Sequence, residues 1–297
     1  MLNVNKLSAL STNRIPGTGK ITYVNKKNKK PVGRRISQVF EELRKNNKKA
    51  FIPFVSCGYP DMNRYFQLVD ILIEGGADIL EVGIPFSDPL ADGPIIQTTS
   101  KIALENGVNT DVVFDSVSTI REKSSIPVVI LSYFNNVYRY GVERFLHNAR
   151  KKGVDALIIP DLPLEEFYSY EHIFRKADID NIMLASLTSS RDRLVKISDV
   201  SRGFIYCVSV KGVTGVRNNI SDEVKDFLKK LKSITNIPLA LGFGLSNRGQ
   251  IEEIKDLCDG IIIGSKLLSI LLEKDSFENN LQRVEKFVLS VNTILKG

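Results

Sequence analysis

Cysteine is scarce in this 297-residue chain: there are three, Cys57, Cys207 and Cys258, far apart and odd in number. That excludes a disulfide framework, a zinc knuckle and a redox pair, and it suits a reducing compartment. Cys57 and Cys207 lie in or beside apolar runs and Cys258 just precedes one, the setting of inert buried thiols. Histidine is scarcer still, with His147 and His172 both inside segments of helical pattern, so no histidine–carboxylate cluster points to a metal. No dinucleotide or Walker motif occurs. No run approaches the roughly 18 consecutive apolar residues of a membrane span. The first 40 residues contain no Asp or Glu at all.

That last absence organises the charge. The chain carries 41 Lys and Arg against 34 Asp and Glu, a net +7, and nine of the bases fall between Met1 and Phe40. Subtracting those nine from +7 leaves −2 for everything after Phe40. Residues 1–35 contain Pro16, Gly17, Gly19, Pro31 and Gly33, little apolar periodicity and the basic run 26–30, and are expected to form a solvated, disordered extension. A nucleic-acid tail is the weaker reading, because only Tyr23 interleaves with the bases. A transit peptide would favour Arg and Ser over the Lys and Asn found here.

From Ile36 the pattern alternates regularly. Helical spacing at Ile36, Val39, Phe40 and Leu43 predicts a first helix over 36–47. Eight short apolar runs follow, at 51–55, 79–82, 128–131, 156–159, 182–185, 204–208, 239–241 and 261–263, with amphipathic segments such as 64–73, 142–151, 164–176, 192–200, 222–231 and 250–257 between them. The runs start 22 to 35 residues apart, one strand plus one helix, except for one interval of 49 that leaves room for an extra helix after the second. The segments 76–78, 153–155 and 259–260 read as helix-ending glycines turning into a buried strand. Eight such units predict a single (β/α)8 barrel over 36–297, with an extra N-terminal helix and an extra helix after strand 2; a doubly wound open sheet is the alternative.

In a barrel, chemistry sits at the C-terminal ends of the strands. Glu81 is a lone carboxylate in the second run, and alternation points it with Ile79 and Gly83 to one side, away from Leu80 and Val82. A carboxyl buried there needs either a partner or a raised pKa, so a structural ion pair and a general acid/base are both open. The loop that follows holds Pro85, Pro89 and Pro94 with Asp88 and Asp92; it could bring a carboxylate over the barrel mouth or simply form turns. Glycine-bearing segments at 212–215, 242–244 and 264–265 follow the last three runs, where barrels bind phosphate through backbone N–H groups. Tyr133, Asn135 and Asp161 occupy positions suited to holding a substrate, and Lys211 could form a Schiff base.

Residues 80–94, read as Leu-Glu-Val-Gly-Ile-Pro-Phe-Ser-Asp-Pro-Leu-Ala-Asp-Gly-Pro, closely resemble the signature of the tryptophan synthase alpha chain family. The resemblance continues through 53–55, 159–163, Ser209 with 212–215, 242–244 and 264–265, and covers residues 36 to 294 in order. It implies a (β/α)8 lyase that cleaves indole-3-glycerol phosphate to indole and glyceraldehyde 3-phosphate without a cofactor of its own. The implied partner is a beta chain in an α2β2 assembly, which carries pyridoxal phosphate. By the same resemblance Glu81 is the acid/base and Asp92 the second catalytic carboxylate. Phe54, Ile96, Tyr133, Asp161, Tyr206 and Thr214 would surround the indole and glycerol. Gly215, Phe243, Gly244, Gly264 and Ser265 would hold the phosphate, and Asp88 would face the beta chain. Leu187 and Val210 depart from residues common in the family. A stand-alone indole-3-glycerol phosphate lyase and a Schiff-base aldolase using Lys211 are the alternative functions. The abundance of Lys, Asn and Ile suggests an AT-rich genome, which fits bacteria and algal plastids alike; a plastid stroma is expected, with cytoplasm as the alternative.

Overall fold

Residues 35–208, 220–242 and 244–297 are described by a computed structural model. In chain order they form α1 (Arg35–Lys45), β1 (Ala50–Ser56), α2 (Met62–Glu74), β2 (Leu80–Gly83), α3 (Pro94–Glu105), α4 (Thr110–Lys123), β3 (Val128–Leu131), α5 (Phe134–Tyr140), α6 (Val142–Lys152), β4 (Ala156–Ile158) and α7 (Leu164–Ala177). There follow β5 (Asp180–Ile182), β6 (Leu184–Ser186), α8 (Arg191–Val200), β7 (Ile205–Val208), α9 (Asp222–Lys232), β8 (Leu239–Gly242), α10 (Arg248–Ile254), β9 (Gly260–Ile263), α11 (Ser265–Leu271) and α12 (Phe277–Lys296).

All strand pairs are parallel, in the order β5-β4-β3-β2-β1-β9-β8-β7-β6. The single residue Met183 separates β5 from β6, and its carbonyl accepts the Tyr206 N–H at 3.0 Å. β5 and β6 are thus two halves of one barrel strand: the first half pairs back to β4 and the second forward to β7. The sheet closes into the expected eight-unit barrel, which removes the open-sheet alternative. The extra helix after strand 2 is present as the pair α3 and α4. Helix α5 and the closing helices α11 and α12 are not among the segments that periodicity singles out.

The interior is filled by small and branched side chains such as Ala50, Ile52, Val129, Ala156, Ile182 and Ile262. Helix α1 closes its N-terminal end. Ile36 and Phe40 are buried in the same interior cluster, with the Phe40 ring 5.9 Å from that of Phe204. Gly260, read from sequence as a helix-ending residue, is the first residue of β9; a Cβ there would stand 3.1 Å from the Ala50 Cβ and 3.4 Å from the Phe40 ring. Gly153 does end α6 in the left-handed region, at φ 96°.

The aspartates at these strand starts do a common job. Asp78 accepts the Phe51 N–H at 2.7 Å, Asp155 the Val128 N–H at 2.8 Å and Asp259 the Leu239 N–H at 2.9 Å. Each satisfies a main-chain donor at the rim, where the sheet ladder has run out. Asp155 is fully buried and also binds Arg35 at 3.1 Å and Arg121 at 2.5 Å. Arg35 is the last residue assigned to the extension by composition, yet it begins α1 and ties that helix to the barrel. Burial still pushes the Asp155 carboxyl above its ordinary range, so the guanidiniums offset only part of the desolvation. Asp155→Ala takes the shared carboxylate from two buried guanidiniums and the acceptor from a strand N–H, and should lower unfolding free energy by about 3–5 kcal/mol in denaturant titration. A loss below about 1 kcal/mol would mean the cluster relaxes into water.

Candidate active site

Glu81 sits in the middle of β2, level with Phe54 on β1 and Val129 on β3. Leu80 and Val82 pack outward against the helices and Ile79 inward, so Glu81 points into the barrel as alternation requires. It is 1% exposed, and its Oε2 has no hydrogen-bond partner. Burial, and then the nearby charge of Asp92, raise its pKa from 4.5 to about 8. Among the described residues no cation pairs with Glu81, and a pKa of about 8 leaves its carboxyl mostly protonated at pH 7.

Asp92 reaches it from the loop after β2. The turn is held by Leu90 N–H to Asp88 O at 2.9 Å and Asp92 N–H to Pro89 O at 3.0 Å. The Gln97 side chain of α3 donates to the Asp92 carbonyl at 2.9 Å. The Tyr133 hydroxyl accepts the Ala91 N–H at 2.9 Å, which sets it beside Asp92. Burial raises the Asp92 pKa to about 6 while that hydroxyl pulls it down. One carboxyl of the pair is thus an acid at neutral pH and the other mostly an anion, a separation that environment alone has produced.

Two buried aromatic rings share this space. Phe54 lies across the ends of two neighbouring strands, and a Cβ on Gly83 would come within 2.7 Å of its ring and one on Gly264 within 2.8 Å. Tyr206 of β7 occupies the space beside Gly242, where a Cβ would stand 2.6 Å from the ring. Burial and then the charges of Glu81 and Asp92 push its hydroxyl well above its usual pKa, which places it among both carboxylates. Gly242 and Gly264, read from sequence as phosphate-loop glycines, therefore also make room for rings.

The remaining residues divide. Ile96 is half-buried on α3 and packs on the core. Gly244 is exposed at φ 83°, and Ser265 is exposed as the first residue of α11, with Gly264 preceding it. Asp88 is exposed, beside Leu90, which is 93% exposed. Asp161 lies near Tyr133 but spends its Oδ1 on the Phe134 N–H, at 2.8 Å. Lys211, Thr214, Gly215 and Phe243 lie outside the described residues. His147 and His172 are exposed on α6 and α7, and the three cysteines are buried, with burial pushing Cys57 to about 11 and Cys258 to about 12. Phe86, stacked on Tyr133 at 5.0 Å, and Gln97 are supporting residues that sequence reasoning missed; no spacing rule marks them. Among the described residues no cluster of three or more His, Cys, Asp and Glu could hold a metal ion. A cavity of about 110 Å³ lined by Pro160, Asn181 and Arg193 opens elsewhere, between β4 and α8, and includes neither carboxylate.

Residues 40–296 match the family model described as tryptophan synthase alpha chain. The tryptophan synthase alpha chain of Caldanaerobacter subterraneus is 43% identical over 261 residues, covering 88% of this chain and 99% of that protein. That of Bacillus thuringiensis is 44% identical over 237 residues, covering 80% and 90%. A solved structure of Mycobacterium tuberculosis tryptophan synthase superposes with a TM-score of 0.81 at 32% identity, covering 89% of this chain and 98% of that one. These relatives are bacterial, so the plastid expectation finds no support. No helix among the described residues is long and apolar enough to cross a membrane.

Proposed function

Because the chain belongs to the tryptophan synthase alpha chain family, whose members cleave indole-3-glycerol phosphate in tryptophan biosynthesis, we propose that Glu81 and Asp92 carry that cleavage here. What carries the assignment is a carboxyl buried in β2 with no partner on Oε2, set beside a second carboxyl on the following loop, with burial and the Asp92 charge both favouring its protonated form. Breaking the bond between indole C3 and the glycerol chain needs a proton on C3 and loss of a proton from the adjacent hydroxyl. Glu81 in its protonated form donates to C3. The ring becomes an indolenine, and Asp92 accepts the indole N–H and stabilises the positive charge on that nitrogen. The Glu81 carboxylate then takes the hydroxyl proton as the carbonyl forms, and the bonding pair returns to the ring. Indole and glyceraldehyde 3-phosphate leave, and Glu81 is protonated again.

Phe54 and Ile96 flank the indole in this reading, with Tyr133 and Tyr206 beside the carboxylates and Thr214 as a further substrate contact. Backbone N–H groups at Gly215, Phe243, Gly244, Gly264 and Ser265 hold the phosphate; the exposure of Gly244 and Ser265 supports this. The family's partner is the beta chain, which carries the pyridoxal phosphate; the alpha chains carry no cofactor. We place the α2β2 contact at Asp88 and the exposed Leu90. Residues 36–297 act as the catalytic body, the basic residues before them take no part in the chemistry, and the compartment is the cytoplasm.

Indole release from indole-3-glycerol phosphate, measured with and without a beta chain, tests the assignment. Release that the beta chain enhances is expected; equal release without it would favour the stand-alone lyase, and trapping of substrate on Lys211 by borohydride the aldolase. The pH dependence of kcat/KM should be bell-shaped. It rises as Asp92 loses its proton near pH 6 and falls as Glu81 loses its own near pH 8. A profile flat from pH 5 to 9 would remove this pair from the chemistry.

A further inference from the structure

We infer that Asp161 and the short helix α5 are a brace that holds Tyr133 on the loop carrying Asp92, so that Asp161 is a positioning residue acting through Tyr133. The resemblance had placed Asp161 in contact with substrate. The inference rests on the assignment of Asp92 as the indole-binding carboxylate.

Helix α5 has only seven residues, and its N-cap is Tyr133 itself, whose side chain makes no capping bond. A helix start leaves several N–H groups without intrahelical acceptors, and here one acceptor comes from another loop: Asp161 Oδ1, 2.8 Å from the Phe134 nitrogen. The negative charge also suits that end of the helix dipole. The bond fixes the residue next to Tyr133. The Tyr133 ring is buried and stacked on Phe86, 5.0 Å between centroids and 27° between planes. Its hydroxyl accepts the Ala91 N–H at 2.9 Å, which sets it one residue from Asp92 and lets it pull the Asp92 pKa down. One hydroxyl therefore ties the backbone of the Asp92 loop to the third barrel unit, and Asp161 ties that unit to the fourth.

Other titratable groups facing Asp92, among the described residues, are Glu81 from β2 and Tyr206 from β7; Asp161 faces Tyr133. Burial and the Asp92 charge push the Tyr133 hydroxyl well above its usual pKa, so it stays a donor throughout the working range. Losing that donor raises the Asp92 pKa, because the burial that lifts it remains.

The test uses the full chain with its beta chain and compares kcat, KM and the acidic limb of kcat/KM in Tyr133→Phe, Asp161→Ala and Asp161→Asn. Tyr133→Phe should lower kcat by about tenfold or more and move the acidic limb to higher pH. Asp161→Ala should move the limb in the same direction with KM little changed, and should add nothing in the Tyr133→Phe background. Asp161→Asn keeps an oxygen to cap Phe134 and should leave the limb where the wild type has it. A raised KM with an unmoved limb in Asp161→Ala would make Asp161 a substrate contact and overturn the inference, as would a limb shift in Asp161→Asn equal to that in Asp161→Ala. Should Asp161→Ala fail to fold, Asp161→Ser takes its place under the same criteria. A carbon-13 NMR titration of Asp92 in the same variants reads the shift without turnover. If the wild type releases no indole, the assignment of function fails, while the titration still decides the brace.

Discussion

Replacing Glu81 by Gln should abolish indole release and, at the same time, make the protein more stable at neutral pH. In the proposed cleavage Glu81 is the one group that both gives and takes a proton, so the loss should be at least about 10³-fold in kcat. The gain in stability follows from linkage. Glu81 has a pKa of about 8 when folded against 4.5 in the ordinary state. Between those values the folded protein holds a proton that the unfolded chain releases, so stability falls as pH rises from about 4.5 to about 8. At pH 7 the cost is on the order of 3 kcal/mol. Glutamine is neutral in both states and escapes it. The two proteins should therefore have similar stability near pH 4, with the variant increasingly ahead up to pH 8. Denaturant titrations across that range check this, and equal stabilities throughout would falsify a Glu81 held protonated by burial. On the proposed function the site would be a stability–activity compromise: a carboxyl useful because the fold disfavours its charge.

Asp92→Asn should lower kcat by about 10² to 10³-fold, the cost of losing a preorganised charge at the nitrogen where positive charge develops. Asparagine can still meet Tyr133 and the indole N–H, so substrate affinity should suffer less than turnover. The variant has a second signature. The Asp92 charge is one of the two causes that raise the Glu81 pKa, so removing it should lower that pKa, leaving burial to hold it above 4.5. The basic limb of the residual activity should move to lower pH, and the acidic limb assigned to Asp92 should disappear. A basic limb that stays in place would show that the two carboxyls do not sense each other.

Much of this architecture is legible along the chain because its causes are local. Apolar runs of strand length, separated by helical patterns, mark each of the eight units, and the 49-residue interval announces the α3–α4 pair. The break at Met183 has no such mark. It lies inside one apolar run and arises because β4 pairs only as far as Ile182, whereas β7 pairs from Leu184 onward. Helix α5 is equally hidden, since an acceptor for its first turn comes from Asp161, 27 residues away in sequence. The role of Asp78, Asp155 and Asp259 is hidden for the same reason: an aspartate before a strand looks like turn chemistry until the neighbouring strand presents its N–H.

The basic first 40 residues and the nearly neutral remainder, the eight-unit alternation and the inward direction of Glu81 are properties of the sequence alone, since charge and a period of two survive in any register. What Glu81 is chemically was decided only by the tertiary structure. A carboxylate in β2 could have met a cation and become a structural ion pair. Closure of the barrel instead removed its water, left Oε2 without a partner and brought Asp92 back over it on a loop fastened by Tyr133 and Gln97. Desolvation and a like charge are effects of three-dimensional proximity, and together they turn an ordinary glutamate into an acid at pH 7.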